Sequence, residues 1–296
     1  WPERRHVITS SVEHSAVRTL RARLAEEGLP VDEIGVDHEG QLDLAELETK
    51  IRDDTAIVSV IYANNETGVL TDVEGVARIC AERNVFLHLD AVQAIGKVSI
   101  DVTSLPVTLL SMSGHKCHGP KGVGALYIRR RTRLAPLLLG GTHERNLRAG
   151  TENVAGIVGM GVAANAISNR PPDESLRVGR LRDRLERGIL ASVPFAHVNA
   201  GGAQRVHNTT NIGFAGLEAE AILLLLSENG VCASAGAACS SGSLEHSHVL
   251  EAMGIDRRIA HGAIRFSLSK FNTEDEIDDV VALLPALLAR LASLGQ

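Results

Sequence analysis

Six short segments of this chain carry residue types that do chemistry, and most of them fall where a strand-like run gives way to a loop or a helix. The densest is Ser113-Gly114-His115-Lys116-Cys117-His118-Gly119, which follows an apolar run ending at Met112. Loops at the carboxyl ends of strands are where open α/β sheets bind ligands. Ser113 and His115 offer donors suited to a phosphate, and Gly114 lets backbone come close. An ordinary loop lysine is a solvated charge. Lys116 becomes a candidate for a Schiff base if a pocket depresses its pKa, leaving a neutral amine to attack an aldehyde.

The other segments supply complementary groups. Phe86 to Gln93 reads as a strand ending at Asp90. A carboxylate there can cap the turn that follows, and it can also keep a pyridine nitrogen protonated so that the ring acts as an electron sink. The two roles are compatible. His14 stands at a strand-to-helix junction, where a structural use is the commoner one. Tyr62-Ala63-Asn64-Asn65-Glu66-Thr67-Gly68 closes another strand with polar groups that also suit an Asn-rich turn. In Arg148 to Asn153 a helix is expected to begin at Thr151, which would serve as its N-cap and as a phosphate contact, since helix N-termini favour anions. The run Ala233 to Glu245 has nothing bulky to pack a core, so Cys239 is expected on an accessible loop, where a reactive thiol belongs. Cys80, beside Ile79 in an amphipathic window, reads as core filler. A metal site built from His115, Cys117 and His118 is disfavoured, because neighbours on one extended loop do not converge on an ion without ligands from elsewhere.

These residues need a scaffold, and the hydrophobic periodicity outlines one. Strands are expected at His6–Thr9, Thr55–Tyr62, Val85–Leu89, Thr108–Met112 and Gly124–Ile128, with helices at Ser15–Glu27, Asp43–Ile51 and Val73–Arg83 between the earlier ones. The alternation implies βαβ units and a mostly parallel sheet covered by helices. A long helix rich in small residues follows at Thr151–Ser168. Pro171-Pro172 breaks the pattern and sets the expected boundary between a large domain, residues 1–172, and a smaller C-terminal domain, residues 173–296, that carries Cys239. In the latter we expect helices at Asp173–Leu190 and Glu218–Glu228, strands at Asn211–Phe214 and Ala263–Leu268, and a final helix opened by a Thr273/Glu276 capping box.

Composition limits the function classes. With 296 residues, 44% hydrophobic and 22% charged, the chain can bury a large core. A formal net charge of -6 with both signs interleaved gives no basic face for nucleic acid or a membrane surface. The longest apolar stretch, Ala221 to Leu226, is far short of the roughly 20 residues of a membrane span, and no signal-peptide pattern opens the chain. A cytoplasmic protein is expected. Four cysteines without CxxC spacing suggest neither a disulfide framework nor structural zinc. The opening Trp1-Pro2-Glu3-Arg4-Arg5 has no initiating Met, so the sequence is expected to begin inside a longer protein.

Taken in order and spacing, the six segments resemble the pyridoxal-phosphate-dependent cysteine desulfurases, and look most like their nitrogenase-associated (NifS-type) branch over nearly the whole chain. The resemblance implies fold type I of the pyridoxal-phosphate enzymes, an aspartate aminotransferase-like α/β fold with a large domain and a smaller α+β one. It implies a homodimer with active sites near the subunit interface. By position, Lys116 would hold pyridoxal 5'-phosphate as a Schiff base, Asp90 would pair with the pyridine nitrogen, and His14 would stack on the ring and help move protons. Asn65 and Gln93 would reach the ring hydroxyl oxygen. Ser113 and His115 would bind the phosphate, joined by Thr151 from the other subunit. Arg265, together with Asn65, would bind the carboxylate of the L-cysteine substrate. Cys239 would take the substrate sulfur as a persulfide and leave L-alanine. That sulfur would pass to an acceptor such as an iron–sulfur scaffold, in cluster assembly or nitrogen fixation. Ahead of the strand at His6–Thr9 the family has a further region with a phosphate-binding Thr-Ser-Gly-Ala-Thr-Glu-like loop. Ala235-Gly236-Ala237 replaces a more usual Ser-Gly-Ser. Two other readings share most of these residues: a selenocysteine lyase or aminotransferase on the same fold, and an inactive fragment that acts as a binding scaffold.

Overall fold

The computed structural model describes residues 3–236 and 247–294. Six runs rich in β-branched and leucine residues build the first sheet: β1 (His6–Ser10), β2 (Val31–Ile34), β3 (Thr55–Ile61), β4 (Phe86–Asp90), β5 (Leu109–Ser113) and β6 (Gly124–Ile128). Their order is β2-β1-β3-β4-β5-β6, parallel from β2 to β5 and antiparallel between β5 and β6. Parallel neighbours need crossovers. These contain α1 (Ser15–Glu26), α2 (Leu44–Lys50) and α3 (Val73–Glu82). Asp43 and Asp72 cap α2 and α3, accepting from the N–H groups of Glu46 and Gly75 at 2.9 Å each. Leu87 and Leu89 on the central β4 are fully buried, each stabilising the fold by ~2 kcal/mol.

β2 carries no clear strand pattern because two of its four residues are acidic. It survives as an edge strand whose acids find partners: Asp32 meets the buried His6 Nε2 at 3.2 Å, and Glu33 pairs with Arg21.

The long small-residue helix, α4, spans Val154–Ser168. Its N-cap is Asn153, whose Oδ1 accepts from Gly156 N–H at 3.1 Å, and not Thr151. Both residue types suit the position, and the asparagine stands one residue before the first helical turn. Val154, Val158 and Val162, four residues apart on α4, are 65%, 60% and 66% exposed.

After Pro171-Pro172 come α5 (Glu174–Ser192), β7 (Ala196–Asn199), β8 (Thr209–Phe214), α6 (Ala219–Glu228), the two-residue β9 (Ser234–Ala235), α7 (His248–Ala252), α8 (Arg257–Ala260), β10 (Ala263–Ser267) and α9 (Glu274–Leu294). A second sheet, β7-β8-β10-β9, is antiparallel throughout. The Thr273/Glu276 box forms reciprocally: Glu276 N–H reaches Thr273 Oγ1 at 3.3 Å and Thr273 N–H reaches Glu276 Oε2 at 3.1 Å.

Each sheet has its own apolar core. A third cluster joins Val12 and Ile61, at the carboxyl ends of β1 and β3, to Val249 and Leu250 of α7 and Ala263 of β10. That cluster places the second sheet and α7 beside the carboxyl ends of the first sheet's parallel strands. Among the described residues, no helix is long and apolar enough to cross a membrane.

Candidate active site

Because β1, β3, β4 and β5 run in one direction, their carboxyl ends open on one side of the sheet. Asp90, the last residue of β4, lies opposite Ile61 of β3 and Ser111 of β5. It is buried, and its Oδ1 accepts from Val92 N–H at 3.0 Å. The capping use weighed for Asp90 therefore exists, while its second oxygen makes no hydrogen bond among the described residues. Gln93, one turn on, accepts from Lys97 Nζ at 2.6 Å through its Oε1.

At the end of β5, Ser113 Oγ and His115 Nδ1 share a hydrogen bond of 2.9 Å. A short 3-10 turn, Gly114–Cys117, then carries Lys116. Glycine suits 114, since a Cβ would stand 3.0 Å from Val123 and 3.1 Å from the Pro120 carbonyl, tighter than ordinary contact. The buried Cys117 thiol donates to Gly114 O at 3.2 Å. Lys116 is exposed and faces a cavity of about 290 Å³ that it shares with Lys97, His118, Arg170 and His207. The protein groups described leave its amine without a hydrogen bond or ion pair, and the enclosure expected around it is open on this side.

His14 is half-buried and caps α1, its Nδ1 accepting from Ala16 N–H at 3.2 Å. Asn65, in the loop after β3, meets Arg265 of β10: Arg265 Nη1 donates to the Asn65 carbonyl at 2.8 Å. Asn65 Oδ1 is buried and has no partner among the described residues. Thr151 stands apart, exposed in a surface groove of about 820 Å³ with Leu137, Leu147 and Ile157. Cys239 lies outside the described residues. Geometry thus gathers Asp90, Gln93, Ser113, His115 and Lys116 along the ends of β4 and β5, and joins Asn65 to Arg265 across the two sheets.

Four polar residues escaped the sequence reading. His88 on β4 bridges its neighbours, with Nδ1 to Ser59 Oγ at 2.7 Å and Nε2 to Ser111 Oγ at 2.8 Å. Burial lowers its pKa. Burial, with the charges of Lys116 and Arg265 adding, lowers Lys97 to about 8. Glu66, in the loop after β3, is buried. Glu13, next to His14, is fully buried, bonded to Ser10 Oγ and accepting from Ile61 N–H at 2.7 Å. The only sequence signal for it was an acid directly before His14 at the strand-to-helix junction.

Burial pushes the Glu13 carboxyl up from 4.5 to about 8 against the opposing pull of those hydrogen bonds. The folded protein then holds a proton that the unfolded chain releases, so this group lowers stability as pH rises from about 4.5 to about 8 and costs nothing further above that window. Glu13→Gln is expected to flatten the decline, with a gain over wild type of a few kcal/mol at the upper end of the window. Urea unfolding of both proteins at pH 5 and 7.5 checks this; parallel pH profiles would refute it.

The aminotransferase class-V family matches residues 1–280 of the chain. Over 294 residues the chain is 50% identical to "Cysteine desulfurase 2" of Trichormus variabilis, covering 99% of this chain and 74% of that protein. It is 51% identical over 294 residues to "Cysteine desulfurase NifS" of Azotobacter vinelandii, covering 99% of this chain and 73% of that protein. A solved structure described as a NifS-like protein superposes with a TM-score of 0.88 at 39% identity, covering 97% of this chain and 76% of the other.

Proposed function

Because the chain belongs to the cysteine desulfurases of the aminotransferase class-V family, we propose that it converts L-cysteine to L-alanine with pyridoxal 5'-phosphate as cofactor and places the sulfur on Cys239 as a persulfide. The observation that carries this reading is the row of Asp90, Ser113, His115 and Lys116 at the adjacent carboxyl ends of β4 and β5. The donor set suits the cofactor. A buried carboxylate with an oxygen to spare matches a pyridinium N–H, paired Ser and His donors match a phosphate, and the unpartnered buried Asn65 amide oxygen calls for a ligand.

When bound, the cofactor supplies an aldehyde for amines and a ring that withdraws electrons from the substrate α-carbon. The chain supplies the rest. Lys116 would hold the cofactor through its amine and, when that amine is free, would move the proton at the α-carbon. Asp90 keeps the ring nitrogen protonated, Gln93 and Asn65 reach the ring hydroxyl oxygen, and His14 covers the ring and assists proton movement. Arg265, oriented by the Asn65 carbonyl, binds the substrate carboxylate with its planar fork. The Cys239 thiolate attacks the substrate sulfur, the carbon–sulfur bond breaks, and the carbon skeleton takes up a proton to leave as alanine. The persulfide then passes to an acceptor protein such as an iron–sulfur scaffold.

The reading includes a homodimer in which Thr151 completes the partner's phosphate site. The exposed valine stripe on α4 supports it, as do Leu137 and Leu139, 92% and 82% exposed in the segment before α4. Apolar area of this kind marks an interface. Sedimentation is expected to give the mass of two chains, and Val158→Asp the mass of one; a wild-type monomer would remove the dimer. The division at residues 172/173 and a cytoplasmic setting belong to the same reading. Its direct test is mass spectrometry after exposure of the holoenzyme to L-cysteine, which should find one added sulfur atom on the peptide containing Cys239.

A further inference from the structure

Glu66 follows Asn65 in the loop that closes β3 and takes no part in the chemistry proposed for the site. Its carboxylate is buried and touches two points of the chain that lie on either side of the Cys239 segment. Ser247 Oγ donates to Glu66 Oε2 at 2.5 Å. That same hydroxyl accepts from Leu250 N–H at 3.1 Å and so caps α7. On the other side, Gly236 is buried so tightly against Glu66 that a Cβ there would collide with the same Oε2. Glu66 is itself fixed along the backbone. Its N–H donates to Asn64 Oδ1 at 2.9 Å, and its carbonyl accepts from the buried Asn211 Nδ2 at 3.3 Å. Asn211 is held in turn by Asn199 Nδ2 at 2.7 Å.

A buried carboxylate is costly unless hydrogen bonds and a nearby cation compensate it. Burial raises the Glu66 pKa, and the Ser247 hydrogen bond and the charge of Arg265 act in the opposite direction. Arg265 is tied to the residue just before Glu66. The carbonyl that orients the guanidinium and the carboxylate that meets both ends of the segment therefore sit on consecutive residues.

We infer that Glu66 is a positioning residue for sulfur transfer: one buried carboxylate accepts from Ser247 and packs against Gly236, which flank Cys239 in sequence, beside the arginine assigned to the substrate carboxylate. This rests on the reading of Cys239 as the sulfur acceptor. Cys239 is three residues beyond Gly236 in sequence, so the packing of Gly236 against Glu66 fixes where the chain leading to it sets out. The arrangement reconciles a thiol that must reach both the substrate and an outside acceptor with the alignment that the attack demands.

The test uses the holoenzyme and its Glu66→Ala, Ser247→Ala and Glu66→Gln variants. Two rates are followed by mass spectrometry of the Cys239 peptide: persulfide formation after mixing with L-cysteine, and alkylation by iodoacetamide without substrate. Glu66→Ala and Ser247→Ala should each slow persulfide formation roughly tenfold or more. They should also change the alkylation rate severalfold, with the cofactor absorbance and the melting temperature of the loaded protein kept. Glu66→Gln retains an oxygen for Ser247 and should restore both rates nearly to wild type. Wild-type persulfide and alkylation rates in folded, cofactor-bound Glu66→Ala, or in Ser247→Ala if the first variant does not fold, would overturn the inference. A wild-type protein that never gains sulfur on Cys239 would instead sink the desulfurase reading, and the alkylation rates would still decide whether Glu66 governs the segment.

Discussion

Lys116→Ala is expected to abolish the visible absorbance that a Schiff base between this lysine and pyridoxal phosphate gives the protein, and to lower turnover of L-cysteine by at least roughly 10²–10⁴-fold, the range for losing a positioned proton carrier alone. The prediction has a built-in competitor. Three lysines line the same cavity, Lys97, Lys116 and Lys270, and burial lowers Lys97 to about 8. That shift alone would favour Lys97 as the amine that meets an aldehyde. Its Nζ is engaged with Gln93 Oε1, however, whereas the Lys116 amine is open to a ligand and stands on the loop that follows β5 beside the Ser113/His115 pair. Lys97→Ala should therefore keep the visible band. If Lys97→Ala lost it and Lys116→Ala kept it, the cofactor lysine would be Lys97 and the family correspondence at this loop would fail. If the wild-type protein stayed colourless with cofactor in excess, the inactive-scaffold reading would gain instead.

What the sequence made legible follows from where its signals are local. The early helices were readable to within a residue or two, as Ser15–Glu27 against the observed Ser15–Glu26, because apolar periodicity and caps sit inside the segment itself. The three strands without a signal, β2, β7 and β9, all lie at sheet edges, where strands are short and polar and partners elsewhere decide their shape. The helix cap at Asn153 was misplaced by two residues because Thr151 and Asn153 are both good caps and only the fold selects between them. The site shows the same division. Asp90, Ser113, His115 and Lys116 were visible because each stands at the end of a readable strand. Contacts between distant residues were not: Arg265 meets Asn65 across 200 positions, and Ser247 meets Glu66 across 181. Glu13 and His88 gave no signal because what marks them, burial beside other polar groups, exists only once parallel strands are laid side by side.

Cys239→Ala separates sulfur transfer from the chemistry that every enzyme of this fold shares. The variant is expected to bind pyridoxal phosphate with an unchanged visible band, since Lys116, Asp90, Ser113 and His115 are untouched, and to bind L-cysteine through Arg265 as before. Sulfide and alanine release should nevertheless fall to background, because the carbon–sulfur bond has no nucleophile to accept its sulfur. The loss should fall on kcat, as removal of a group that acts only in the transition state requires, with little change in the concentration of L-cysteine that perturbs the visible band. Cys232, exposed just ahead of β9, is the natural control: Cys232→Ala should turn over normally. An aminotransferase or a selenocysteine lyase on this fold would have no need of the thiol at position 239. Wild-type alanine release by Cys239→Ala would move the assignment to the lyase, and sulfur found on the Cys232 peptide instead would move the acceptor thiol while leaving the reaction as proposed.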